Sequence, residues 1–109
     1  MAYDENLAER IRGQLAERGD VTEKKMFGGL AFLIGGNMAV AASGRGGLMV
    51  RCDPAETADH VVDGAEPMIM RGKPMNGWLR VSDQCVADDA ALAHWVQVGT
   101  TTAARLPAK

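Results

Sequence analysis

Near the N-terminus, Leu7, Ile11 and Leu15 recur every four residues, with Tyr3 and Ala8 on the same side. This single apolar stripe predicts a helix from about Asp4 to Arg18. Asp4 and Glu5 stand where the helix dipole favours negative charge, Gly19 is placed for a left-handed cap, and Gly13 weakens the middle. From Lys24 to Asp53 the period changes. The run KKMFGGLAFLIGGNMAVAASGRGGLMVRCD is the longest apolar region and is rich in glycine. Val21 to Lys25 leads in, Met26-Phe27 starts a strand, and Gly28-Gly29 inside that strand predicts either a bulge that curves the sheet around a core Phe27 or a close backbone approach. Leu30–Ile34 is apolar on both faces. Gly35-Gly36-Asn37 supplies the positive φ angles of a tight hairpin, and Met38–Ala42 returns. The alanines of that return strand predict a tightly packed neighbour. Ser43–Gly47 is a looser turn. In Leu48–Cys52, residues Leu48, Val50 and Cys52 share one face, with Met49 and Arg51 on the other.

Asp53, Pro54 and Glu56 then make a good helix start, and a second helix is expected to run to about Asp63 and stop at Gly64. Glu66–Asn76, with Pro67 and Pro74, reads as irregular, holding a short strand at Met68–Met70 and an exposed turn at Arg71–Met75. Trp78–Val81 is a strand. Asp88 and Asp89 open a last helix whose buried face is Leu92, Trp95, Val96, Gly99 and Ala103, and Pro107 stops it. The order is α, three or four strands, α, one or two strands, α. That order predicts an α+β domain over residues 1–109, with helices covering one face of an antiparallel sheet.

Composition adds little to this picture. At 109 residues, 47% hydrophobic and net charge −2, the chain is that of an ordinary globular domain with no global field toward nucleic acid or anionic lipid. The charge is nonetheless arranged in blocks. An acidic stretch from Cys52 to Met70 lies between basic ones, so Lys24, Lys25, Arg51, Arg71, Lys73 and Arg80 form a positive patch if the fold gathers them. If it does not, they are solvated charges. Two cysteines make no disulfide framework, and no leader or membrane-span pattern is present, so a cytoplasmic protein is expected.

The chemical motifs fail on inspection. A phosphate loop ending at Gly72-Lys73 lacks its first glycine, because that position is Pro67. A dinucleotide fingerprint from Gly44 fails at Met49. Cys52, His60, Cys85 and His94 lack zinc-ligand spacing, and no third group orients a cysteine–histidine pair. No residue set calls for a metal or cofactor, and a catalytic role is not expected. Met68, Met70 and Met75 lie in a basic segment where they suit an adaptable contact surface better than a core. Trp78 and Trp95 read first as core residues. Trp78 joins Lys24, Lys25, Arg51, Arg71, Lys73 and Met75 as the candidate partner surface, whereas Phe27, Gly28, Gly29, Asp53, Pro54 and Trp95 read as structural.

KKMFGG before an apolar strand, Arg51-x-Asp53 closing another, Gly72-Lys73-Pro74-Met75 before an aromatic strand, and a closing Leu92-x-x-Trp95-Val96 helix together resemble the N-terminal domain of the TfoX/Sxy family. The resemblance implies an α+β fold related to secretion-chaperone-like domains. It also implies kinship with regulators of natural competence that act with a cyclic-AMP-responsive transcription activator, here without their C-terminal helical domain. It carries no catalytic residues. The expectation is therefore a non-enzymatic regulatory module with a protein partner, by resemblance the transcription machinery. Direct nucleic-acid binding through the basic residues is the first alternative. A small-ligand site or unrecognised enzyme between the sheet and the Arg71–Met75 loop is the second. Open strand edges also leave room for a homodimer.

Overall fold

The computed structural model describes residues 3–26, 28–44, 46–70 and 72–107. Helix α1 is Glu5–Gln14. Strands β1 (Val21–Met26), β2 (Gly29–Ile34), β3 (Asn37–Ala42) and β4 (Leu48–Arg51) follow. After a 3-10 helix at Pro54–His60 come β5 (Ala65–Met70) and β6 (Lys73–Val81), a second 3-10 turn at Asp83–Val86, and helix α2 (Asp89–Ala104). The strands form one antiparallel sheet in the order β1-β2-β3-β4-β6-β5. The chain thus steps past β6 to lay β5 at the far edge before returning.

Register divides the side chains into two faces, because residues paired across antiparallel strands point the same way. One row reads Glu23, Phe32, Val40, Val50, Leu79 and Pro67; the next reads Lys25, Leu30, Ala42, Leu48, Val81 and Ala65. Their apolar members make the core with Leu7, Ile11 and Leu15 of α1 and Leu92, Trp95 and Val96 of α2. Both helices therefore lie on one face. The Arg10 guanidinium donates to Asp89 at 3.1 Å, joining α1 to the start of α2. Arg12 pairs with Glu23 at 2.7 Å, joining α1 to β1. The tight packing expected on β3 is present: α2 crosses it at Gly99, where a Cβ would stand 2.4 Å from the Ala39 carbonyl oxygen.

Several boundaries differ from the pattern-based expectation. The first helix stops at Gln14, with Leu15 as its C-cap, so Gly19 caps nothing. Leu15 is buried and Gly13 sits in the last turn, which weakens any continuation. Gly28 and Gly29 are not a bulge inside a strand; the other expectation, a close backbone approach, holds at Gly29, where a Cβ would stand 2.3 Å from the Ala42 carbonyl oxygen. Met26 pairs with Gly29, and the connection between them contains Gly28 at φ 75°. The register shift falls instead between β2 and β3, where Phe32 and Leu33 face Val40 and Met38 and Ala39 of β3 is the extra residue. Phe27, assigned to the core, lies outside the described residues. The glycine pair at 35 and 36 does turn the next hairpin, with φ of 58° and 87°.

The second helix is a 3-10 helix ending at His60. Asp53 caps it by accepting from the Ala55 amide at 2.9 Å, and Pro54 opens it as expected. Inside it, the Thr57 hydroxyl lies 3.3 and 3.2 Å from the carbonyls of Asp53 and Pro54, a local bonding choice that competes with α-helix. The segment Glu66–Asn76 is ordered into β5 and β6, where irregular chain was expected. Its prolines are tolerated by position: Pro67 lies on the edge strand at a register shift, and Pro74 lies where β4 no longer pairs with β6.

Candidate functional site

The face of the sheet away from the helices carries a third row, Lys24, Ala31, Ala41, Met49, Arg80 and Glu66. Beside Met49 and Arg80, the next pair is Arg51 opposite Trp78. Small alanines on β2 and β3 give way to long side chains on β4 and β6. A groove of about 960 Å³ lies there, lined by Met38, Met49, Met68, Met75, Ile69 and Trp78, with Arg80, Glu66 and Asp63 among its polar groups. Ile69 is 62% exposed on the arm that β5 and β6 extend beyond β4.

The Arg51 guanidinium stacks over the Trp78 ring, 5.1 Å from its centroid, and makes one long contact of 3.4 Å to the Met38 carbonyl. The indole face attracts the cation. Among the described residues, no carboxylate pairs with Arg51; the ion pairs belong to Arg10, Arg12 and Arg18. Arg80, by contrast, reaches the Gly46 carbonyl at 3.5 Å.

The arm is fastened at its root. The Thr57 hydroxyl accepts from the buried Gly77 amide at 2.8 Å, and the Cys52 thiol lies 3.6 Å from the same oxygen. The Cys52 amide donates to the Gly77 carbonyl at 2.9 Å. Burial pushes the Cys52 thiol up, against the smaller opposing effect of its contact with Thr57. The other displaced groups have local causes. Arg12 holds Glu23 below the usual carboxylate range and is itself pushed up by Glu23, and Arg18 holds Asp20 down.

The residues foreseen as a partner surface fall in three places. Arg51, Trp78 and Met75 come together at the groove. Lys73 starts β6 at the far end of the arm. Lys24 and Lys25 are on β1, the opposite edge, with Lys24 on the bare face and Lys25 on the helix side. Four strand spacings, about 19 Å, separate β1 from β6, so these lysines and Arg80 do not make one patch. Arg71 lies outside the described residues. Trp95 is a core residue, flanked edge-on by His94 at 4.9 Å and His60 at 6.4 Å. Trp78 is half-buried on the bare face, not in the core. Among the described residues, no three of His, Cys, Asp and Glu are grouped to hold a metal ion.

Sequence reading did not select Met38 or Thr57 for this region, and it offered Arg80 only as part of a positive patch with the lysines. The alternation along Leu48–Arg51 did place Met49 beside Arg51 on the face away from the core. Thr57 left no local signal, because its partner lies twenty residues on, in a strand read as irregular chain.

Comparison with known proteins adds one finding. The sequence-family model for the TfoX N-terminal domain matches residues 13–103, from the end of α1 to the last turn of α2. No curated protein and no solved structure matches the chain.

Proposed function

This chain belongs to the TfoX N-terminal domain family, and from that footing we propose that it is a non-enzymatic regulatory module that binds a protein partner through the bare face of its sheet. The observation that carries this reading is the one-sided covering of the sheet. Both α-helices occupy one face, and the other gathers four methionines and Trp78 into a single groove, beside which Arg51, over the Trp78 ring, has no carboxylate partner among the described residues. An apolar groove with a few convergent polar groups is a binding site by construction. Methionines suit a surface that must adapt to a partner. In the finer reading the partner belongs to the transcription machinery and the setting is regulation of competence in the cytoplasm, by analogy with the family. Among the described residues, no helix is long and apolar enough to cross a membrane.

Capture from native cell extract, with and without nuclease, tests this reading. A protein retained after nuclease by the wild-type chain, and lost with Trp78→Ala, is the expected result. Capture of nucleic acid alone, or of the same proteins by wild type and Trp78→Ala, would sink it.

A further inference from the structure

Resting on that reading, we infer that the occupant of the groove is an amphipathic helix of the partner that carries a carboxylate against Arg51. Four observations lead there. The first is size. Along β6 the lining runs from Ser82 to Met75, about 23 Å at the rise of a strand. Across, it spans β3, β4, β6 and β5, about 14 Å at the spacing of neighbouring strands. An α-helix about 10–12 Å wide and about 14 residues long fills such a trough. The second is architecture: α2 already covers the opposite face of this sheet, and a helix on the bare face adds a third layer.

The third observation is lining chemistry. Met38, Met49, Met68, Met75 and Ile69 are flexible apolar side chains, suited to anchors spaced three and four residues apart. The fourth is charge. Arg51 lies over Trp78 and, among the described residues, makes one long hydrogen bond, to the Met38 carbonyl. A guanidinium with donors left over can make a paired contact with a carboxylate. The same features speak against nucleic acid. Glu66 and Asp63 line the groove and repel a run of phosphates more than a single carboxylate placed at Arg51, and Lys24 and Lys25 stand on the opposite edge strand, β1.

The experiment is selection from a phage-displayed library of helical peptides of about 14 residues, panned against the whole chain. Selected peptides are expected to combine an apolar stripe with Asp or Glu. Arg51→Gln should weaken them by roughly tenfold or more, the scale of a lost charge-assisted hydrogen bond. Changing the peptide's acid to its amide should cost the same, and the two losses should not add. Arg51→Lys, which keeps the charge without the fork, should be intermediate. Circular dichroism checks that each variant is folded. If Arg51→Gln unfolds, the peptide-side change and Arg51→Lys still decide.

No enrichment over a scrambled library overturns the inference, as do selected peptides without an acid or indifferent to Arg51. Arg51-dependent binding of a DNA duplex of about 20 base pairs, falling steeply with salt, overturns it in favour of nucleic acid. Arg51-dependent binding of dodecanoate with no peptide bound overturns it in favour of a small apolar acid. Capture of a protein through Trp78 from extract, with no helical peptide selected, removes this inference and leaves the broader reading standing.

Discussion

Thr57 is the residue on which the arm of the sheet turns. It is buried, and its hydroxyl is the acceptor for a buried amide of Gly77. Valine at this position has nearly the same shape but leaves that amide unsatisfied. Thr57→Val is expected to cost about 1–3 kcal/mol, the penalty of an unpaired buried donor, whereas Thr57→Ser should cost less. Urea titration of the three proteins measures the difference. A second residue-scale prediction concerns Glu23. Its hydrogen bond from Arg12 lowers its pKa in the folded state below the unfolded value. The pair therefore supports the fold above the ordinary carboxylate range, and that support is lost as pH falls through the folded value. Glu23→Gln should remove this part of the acid sensitivity, so the urea midpoints of the two proteins should differ at neutral pH and converge as the pH falls through the lowered folded value. The effect should be small, because the pair is exposed.

At the scale of elements, α2 sits against β3 with no room at Gly99. An added methyl would meet the Ala39 carbonyl oxygen at 2.4 Å and a Val40 methyl at 2.6 Å. Gly99→Ala should stabilise the isolated helix by about 1 kcal/mol, yet overpacking costs about 1–3 kcal/mol. Net destabilisation is expected in thermal unfolding. Capture of the partner should be intact below the transition, since α2 is on the far face. This contact was legible beforehand: alanines in Met38–Ala42 and a glycine on the buried face of the last helix pointed to close approach. The stripe Leu7, Ile11, Leu15, the hairpin at Gly35-Gly36 and the capping Asp53 were equally readable, because each depends on local geometry. Glu66–Asn76 was not. Two prolines argued against order, and only the sheet shows that one lies on the edge strand and the other beyond β4. The groove was legible in part for the same reason. Alternation assigned Met49 and Arg51 to the face away from the core, but the pairing of Arg51 with Trp78 depends on β6 inserting beside β4 ahead of β5. No local pattern encodes that order.

At the scale of the whole molecule, the sheet is finished on one side only. Its edges are guarded in different ways. On β1, Glu23, Lys24 and Lys25 are exposed and charged, while β5 is interrupted by Pro67 at a register shift; both discourage indiscriminate pairing of strands. The bare face has no such guard, and the four half-buried methionines there have a chemical consequence. Mild peroxide converts thioethers to sulfoxides, turning a soft apolar floor into a polar one without touching the core on the other face. Treated protein is expected to keep its circular dichroism spectrum and lose its captured partner, with mass spectrometry locating added oxygen on Met38, Met49, Met68 and Met75. Methionine sulfoxide reductase should restore capture. Retention of the partner after all four are oxidised would show that the thioethers are not the contact. The side of the sheet left without helices is thus also the side on which the redox state of the surroundings can write, and from which it can be erased.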